Sequence, residues 1–356
     1  MKLHIFNPEH DLALASNLSN FTAPHAGRQL RQDLGWLPAL WAEEDDFILI
    51  ENVKNAQWSY GRLRVRVGGG KRQFVDKFQL NSLDVTEVCP WGWNLALRSF
   101  LLRYGVNAVP SEEYIAGVRK LSHRRQAVSL LNSLQGKGIT GQSYETDSMA
   151  DILESLRLYG VIVVKAPWSS SGRGVRFFND TLNESQERWI RNIIDRQGSV
   201  IMEPYYHKVK DFGMEFESDG QGGVRYLGLS LFYTKNGAYK GNILMPEDMK
   251  MEYINRYISI ELLCKTQEKI CDELGCYYKD KYKGPFGVDM MIVAQPGGEE
   301  LLLHPCVEIN LRRTMGHVAL SFPPFIDGIP RVMQIVLADK YRLQVKKQRR
   351  AQGYCI

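Results

Sequence analysis

Many residues that make chemistry easy to recognise are scarce or missing here. Cysteine is sparse: six in 356 residues (Cys89, Cys264, Cys271, Cys276, Cys306, Cys355), with no CxxC pair. Cys271 and Cys276 fall in a helical pattern at a spacing that suits no usual zinc site. A disulfide scaffold is therefore excluded. Buried or idle thiols in a reducing, cytoplasmic setting are expected instead. No run of about 18 mainly apolar residues occurs, since the uncharged stretch Leu12–Gly27 is broken by Ser, Asn, Thr, Pro and His; no membrane partner is expected. The opening MKLHIFNPEHD turns polar after four strand-like residues, unlike a signal peptide. HExxH, GxSxG and a Cys/His nucleophile pattern are all absent. Gly68-Gly69-Gly70-Lys71 lacks the leading glycine and trailing Ser/Thr of a Walker A loop and reads as a hairpin turn. There are no internal repeats and no low-complexity linkers.

What is present is an ordinary globular composition, 44% hydrophobic and 24% charged, in a chain long enough for about two to three domains. The formal charge of +5 comes from one place. Lys340, Arg342, Lys346, Lys347, Arg349 and Arg350 are unopposed by any acid after residue 339, which leaves 39 basic against 40 acidic residues in 1–339, a net of −1. The basicity is a tail rather than a face, and a nucleic-acid partner is not expected. A tail-borne nucleic-acid site would lose affinity steeply with salt and vanish with residues 340–356.

Along the chain, Leu3–Phe6 and Phe47–Ile50 read as buried strands, Gln57–Phe74 as a hairpin from the alternation in LRVRV, and Pro90–Tyr104 as a helix closed by Gly105. Helices are expected over Ser122–Leu134 (capped by Ser122), Ser148–Leu158, Glu184–Arg196 and Glu247–Leu274. Strands are expected over Val161–Val164, Val175–Phe178, up to Met202, Met214–Glu217, Val224–Tyr233, Gly287–Val293 and Leu301–Ile309. A last helix is expected from about Gly328 into the tail; Ile326–Val345 could then associate between copies, so an oligomer is possible.

Three segments carry chemistry. In VIVVKAPWSSSGRGVRFF a β-branched strand delivers Lys165, and Ser169, Ser170, Ser171, Gly172, Arg173 and Gly174 follow; small residues and serial N–H groups suit a phosphate. Alone, this is also what a flexible Ser/Gly hairpin beside a surface lysine looks like. In LLLHPCVEINLRRTMGH, Glu308 and Asn310 stand two apart and so share a strand face, a pair of oxygens suited to Mg²⁺. Asp289, an acid inside the apolar run GVDMMIV, needs a partner, and a shared metal would supply one. Arg312 and Arg313 follow, placed to neutralise a phosphoryl group or grip a carboxylate. Salt-bridged strands without metal would show the same pattern. In VIMEPYYHKVKDFGMEF a strand ends at Glu203-Pro204 and the chain crosses over through Tyr205–Asp211, either as a hinge or as an edge for adenine and ribose.

The order of these pieces (lysine and Ser/Gly hairpin, Glu hinge, then Asp…Glu-x-Asn) resembles the ATP-grasp superfamily over roughly residues 110–345. The resemblance implies mixed α/β and α+β architecture. It comprises an N-terminal α/β domain over 1–110, a first ATP-grasp subdomain over 111–202, a second over 203–345, and a basic tail over 346–356. It implies ATP and Mg²⁺ (or Mn²⁺), with Lys165 on phosphate, Ser169–Gly174 as a lid, and Glu203, Tyr205 and Tyr206 at the adenine hinge. Asp211 would meet the ribose, and Asp289, Glu308 and Asn310 the metal. An earlier ATP-contacting lysine is replaced by Arg124 or Arg125, and the first metal acid is Asp. NLRRTMGH is similar to the carboxylate–amine ligase branch, which implies small-molecule carboxylate and amine substrates joined through an acyl phosphate, with Lys165, Arg312 and Arg313 offsetting charge. A phosphotransferase or a non-catalytic nucleotide-binding regulator is the alternative. For the acceptor, Asn7, Glu9, His10 and Asp11 just past the first strand are candidates, and a cap-and-turn reading fits them equally; a loop of Lys235, Tyr239, Lys240 and Asn242 is another candidate, though a plain β-turn fits it better. Trp91 and Trp93 read as core aromatics.

Overall fold

The structure, a computed structural model, describes residues 1–169, 174–235, 238–295, 297, 300–323, 325 and 327–347. Ser170, Ser171, Gly172 and Arg173 of the expected lid lie outside the described residues, as do Asn236, Gly237 and the tail from residue 348.

Four short strands, β1 (Lys2–Ile5), β2 (Phe47–Leu49), β3 (Gln73–Val75) and β4 (Glu87–Pro90), form a parallel sheet in the order β3-β2-β1-β4. Parallel neighbours need crossovers: α1 (His10–Ser16) and α2 (His25–Leu34) lie between β1 and β2, α3 (Val53–Val67) between β2 and β3, and a 3-10 turn at Leu80–Ser82 between β3 and β4, after which α4 (Leu95–Arg103) follows. α3 replaces the hairpin expected over Gln57–Phe74. The alternation in LRVRV is real but local; over the full window Ala56, Tyr60 and Leu63 recur at helical spacing and face the core, while Val65 is exposed. Asn52 caps this helix, its side chain accepting from the Asn55 N–H. Gly68-Gly69-Gly70 follows its C-terminus and is no strand turn. α4 stops as expected at Gly105, whose φ of +82° is left-handed.

The next sheet is antiparallel, in the order β5-β8-β6-β7, from β5 (Tyr144–Thr146), β6 (Val161–Lys165), β7 (Val175–Asn179) and β8 (Val200–Pro204). It is preceded by α5 (Glu112–Leu121) and α6 (Arg125–Ser133) and covered by α7 (Met149–Tyr159) and α8 (Glu184–Gln197). Ser122 does not start a helix as expected. It ends α5, its hydroxyl donating to Val118 O at 2.8 Å, and α6 begins only after Arg124.

From His207 onward come β9 (His207–Ser218), β10 (Val224–Ser230), β11 (Phe232–Lys235), β12 (Ala238–Leu244), β13 (Gly284–Ala294), β14 (Leu301–Asn310), β15 (Arg331–Leu337) and β16 (Tyr341–Lys347). They sort into two four-stranded sheets, β10-β9-β13-β14 and β11-β12-β15-β16. The expected helix Glu247–Leu274 is two, α9 (Glu247–Asn255) and α10 (Ile260–Tyr278), the second newly capped by Ser259. A short α11 (Met315–Leu320) follows β14. The last expected helix is instead the hairpin β15–β16. Val332, Ile335 and Val336 favour strand, and Tyr341, Leu343 and Val345 alternate toward the hydrophobic cluster around Trp36 and Leu37. The basis for a helical association through Ile326–Val345 therefore falls away. No helix among the described residues is long and apolar enough to cross a membrane.

Two-residue periodicity decides where a site can be. On β9 and β13, Phe212, Met214, Phe216, Phe286, Val288, Met290 and Ile292 alternate onto one face and are buried in the largest core, with Phe216 stacked on Phe286 at 5.2 Å. The other face is left for Asp211, Gly213, Glu215, Gly287 and Asp289.

Candidate active site

That second face is acidic. Asp289 lies opposite Glu308 across β13–β14, and Gly287 opposite Asn310, so all three expected metal residues point to one side. Asn310 Nδ2 donates to Asp289 Oδ2 at 3.0 Å. Burial, together with the nearby carboxylates of Glu308 and Glu215, raises the Asp289 pKa to about 8. Among the described residues no three His, Cys, Asp or Glu side chains are already arranged around a metal. The donor set nevertheless fits a hard divalent cation. Asp289, Glu308 and Asn310 offer oxygens on one face, and a cation is what would relieve the crowding of like charge there.

Facing these strands is one face of the β5-β8-β6-β7 sheet, through its central strands β6 and β8. Glu203 lies opposite Val163 and diagonal to Lys165, so both polar side chains share a face. Lys165 Nζ donates to Glu203 Oε1 at 2.7 Å and to Val307 O at 3.2 Å, linking β6, β8 and β14; Lys165 and Glu203 are only 6% and 4% exposed. Ser143 Oγ adds a 3.2 Å bond to the same Glu203 oxygen. Arg124 enters from the turn between α5 and α6. Its Nη1 donates to Ala166 O and, at 2.8 Å, to Ser169 Oγ, while Nη2 donates to Glu308 Oε1 at 2.7 Å. On either side of the expected lid, Ala166 N–H donates to Gly174 O at 2.7 Å.

Other expected residues lie where strand geometry sends them. Asp211 belongs to β9 rather than to a crossover; it faces the same side as Asp289 and accepts from Lys208 at 2.5 Å and Thr234 at 3.1 Å. The Tyr205 N–H donates to Val161 O, and Tyr205 is exposed. The Tyr206 hydroxyl accepts from Gln142 N–H at 2.7 Å, and burial pushes its pKa up to about 12. Arg312 grips Asp11 through Nε and Nη2 at 2.8–3.0 Å and donates to Asn310 Oδ1 at 2.9 Å. Burial opposes the charge of Asp11, but Arg312 outweighs it and holds the Asp11 pKa below its ordinary value. Arg313 turns away: its guanidinium stacks on Trp41 at 4.5 Å, and its N–H donates to Trp91 O. Arg125 pairs with Glu145 instead, so Arg124 is the residue in the cleft.

The N-terminal cluster divides. Asn7 bonds Gly92 O, Glu9 pairs with Arg31, and His10 meets Asn94, all in the manner of caps and braces; of the four, His10 and Asp11 line the cleft, and Asp11 is gripped there by Arg312. The 231–242 segment is the hairpin β11–β12, where Tyr239 donates to Asn242 Oδ1 at 2.5 Å and Asn242 to Ser230 Oγ at 2.9 Å. Trp91 is indeed buried, edge-on to Phe6.

Sequence reasoning missed two groups. Met291, Val293 and Leu302, with Tyr206 and Val307 against them, form a small apolar cluster on the Asp289 side of the sheet. The spacing 289, 291, 293 was the available signal. Glu215, 3% exposed, lies 2.9 Å from His317 Nδ1, and a Cβ on Gly316 would come within 1.8 Å of its Oε1. Nothing local in sequence marks that contact, which spans about a hundred residues.

No family model matches this sequence, and no curated protein matches it. Solved structures do. A biotin carboxylase–β,γ-ATP complex from Campylobacter jejuni is similar over 94% of this chain and 75% of its own, at 12% identity and a TM-score of 0.50. An N5-carboxyaminoimidazole synthetase from Staphylococcus aureus follows at 13% identity, covering 94% and 82%, with a TM-score of 0.49. A protein assigned to the ATP-grasp superfamily from Archaeoglobus fulgidus covers 98% and 100% at 12% identity and 0.48.

Proposed function

We propose that this chain, which has the ATP-grasp fold, is an ATP- and Mg²⁺-dependent ligase that joins a carboxylate to an amine through an acyl phosphate. The observation that carries this reading is the meeting of Lys165–Glu203 and Arg124–Glu308 with Asp289 and Asn310 in one cleft between two sheets. In this reading residues 1–110 form the N-terminal α/β domain, 111–202 the subdomain bearing the lysine and lid, and 203–345 the subdomain bearing the acidic strands. The adenine sits on the apolar cluster of Met291, Val293 and Leu302 beside Tyr206, and Asp211 meets the ribose.

Bringing a carboxylate to a γ-phosphate sets two anions against each other. Lys165 and Arg124, both buried, present positive charge where water screens it least, and so lower that repulsion. Asp289, Glu308 and Asn310 would hold Mg²⁺, which supplies charge neutralisation across the phosphates when bound. Arg312, oriented by Asp11, has its guanidinium beside Asn310 and is placed to receive the substrate carboxylate. Arg313, stacked on Trp41, holds the turn after β14 against the N-terminal domain. The lid between Ala166 and Gly174 excludes water that would hydrolyse an acyl phosphate.

The test is ATP with MgCl₂ against a library of carboxylates and amines. Release of ADP and phosphate that requires both is expected. A stable phosphorylated product would instead mark a phosphotransferase, and ATP binding without turnover a regulator.

A further inference from the structure

We propose that Arg124 acts as a stand-in cation for Glu308, and thereby makes the binding of a divalent cation and of nucleotide phosphates mutually dependent. The inference rests on the Mg²⁺-ATP reading above. Among the described residues, Glu308 is the one acid of the expected cation set whose carboxylate is bonded to a basic side chain: Arg124 Nη2 lies 2.7 Å from its Oε1. The Arg124 side chain is 6% exposed and that of Glu308 28% exposed. The two sit 184 positions apart, on different sides of the cleft. The same guanidinium holds Ala166 O and Ser169 Oγ at the base of the lid, so one residue touches both the cation side and the phosphate side.

The guanidinium is also incompletely satisfied. Its Nε is buried and has no hydrogen-bond partner among the described residues, although a planar fork next to a phosphate would use that donor. The pair lies in the cleft lined by Asp11, Arg124, Ser169, Glu308 and Asn310, so a phosphate or a cation entering there meets Arg124 or Glu308. When Arg124 swings to a phosphate, Glu308 is left as an uncompensated carboxylate beside Asp289, which favours a cation. When a cation takes Glu308, Arg124 is released as an uncompensated charge, which favours phosphate. Such coupling is reciprocal by thermodynamic necessity.

The signs make it testable with each ligand alone. In Arg124→Gln, Mn²⁺ without nucleotide, followed by the EPR signal of the free ion, should bind about tenfold more tightly than to the unchanged protein, while ATP with Mg²⁺ binds more weakly. In Glu308→Gln, ATP in EDTA, followed by calorimetry, should bind more tightly, because Arg124 is no longer held by an acid. A merely structural Arg124 would weaken both ligands. Mn²⁺ affinity unchanged or reduced in a folded Arg124→Gln protein overturns the proposal, and so does metal-free ATP affinity unchanged or reduced in Glu308→Gln. If Arg124→Gln does not fold, Glu308→Gln decides alone. If the unchanged protein binds no ATP even with Mg²⁺, the functional reading falls and takes this inference with it. If it binds but the variants do not shift in these directions, only the inference falls.

Discussion

Lys165→Met probes the buried ion pair between β6 and β8, whose lysine also reaches β14 of the neighbouring sheet. Lys165 and Glu203 meet at 2.7 Å with side chains 8% and 6% exposed, so removing the ammonium leaves a desolvated carboxylate whose remaining partner among the described residues is Ser143 at 3.2 Å. Stripping one partner from a buried pair costs about 3–5 kcal/mol, since the remaining charge keeps its desolvation penalty without compensation. The Val307 carbonyl also loses its 3.2 Å donor, a further cost of about 1 kcal/mol. The unfolding free energy should therefore fall by about 4 kcal/mol or more, measured by urea titration of circular dichroism and tryptophan fluorescence. Adding Glu203→Gln removes the stranded charge, so the double variant should regain roughly 2–3 kcal/mol relative to Lys165→Met alone. A loss under about 1 kcal/mol in Lys165→Met, or a double variant whose loss equals the sum of the singles, would refute the claim that this pair is buried and coupled.

Three further outcomes are expected. Gly61→Ala, in the interior of α3 with nothing within 4 Å of the new Cβ, should stabilise the protein by about 0.5–1 kcal/mol in thermal or urea unfolding; a loss would contradict the helix. Gly316→Ala should destabilise by about 1–3 kcal/mol and lower the melting temperature, because its Cβ would sit 1.8 Å from Glu215 Oε1 and 2.5 Å from Ser230 Oγ. His304 is fully buried with neither ring nitrogen hydrogen-bonded among the described residues, and burial lowers its pKa to about 3. Its neutral form is required in the fold, so its contribution is intact above pH 6.5 and is lost as pH falls toward 3, at up to about 1.4 kcal/mol per pH unit. His304→Leu should flatten the acid limb of stability against pH, and an unchanged limb would exclude His304 as its source.

Strands with strong β-branched runs were legible from sequence: Val161–Lys165 and Gly284–Ala294 stand where their composition put them, because both faces or one whole face of each is buried. The same-face placement of Asp289, Glu308 and Asn310 followed from period two together with antiparallel register. The errors arose where tertiary context overrode a short pattern. LRVRV alternates over five residues, yet Tyr60 and the Asn52 cap belong to a fifteen-residue helix. From about Gly328 the sequence reads as a helix running into a basic tail, but the partners of β15–β16 are Asp33, Leu30 and Trp36, some three hundred positions earlier. Arg312 was expected near the chemistry and does touch Asn310, yet its strongest partner is Asp11, which no local pattern could supply. Arg124 and Arg125 stood level in sequence; only the path of the turn between α5 and α6 separates the one in the cleft from the one on Glu145.

The seat of β15–β16 against the first sheet's helices bears on how the protein is made. Synthesis delivers Leu34, Trp36, Leu37 and Ile48 long before Met333, Ile335 and Leu343, the residues that share their cluster. For most of translation the early α/β unit therefore has an apolar flank without its cover, and the Asp33 carboxylate lacks the Tyr341 N–H it later accepts at 2.8 Å. Contacts of such long range close last and slowly. A nascent chain arrested before residue 331 would present that flank to chaperones and to other chains, whereas one released after residue 347 can cover it.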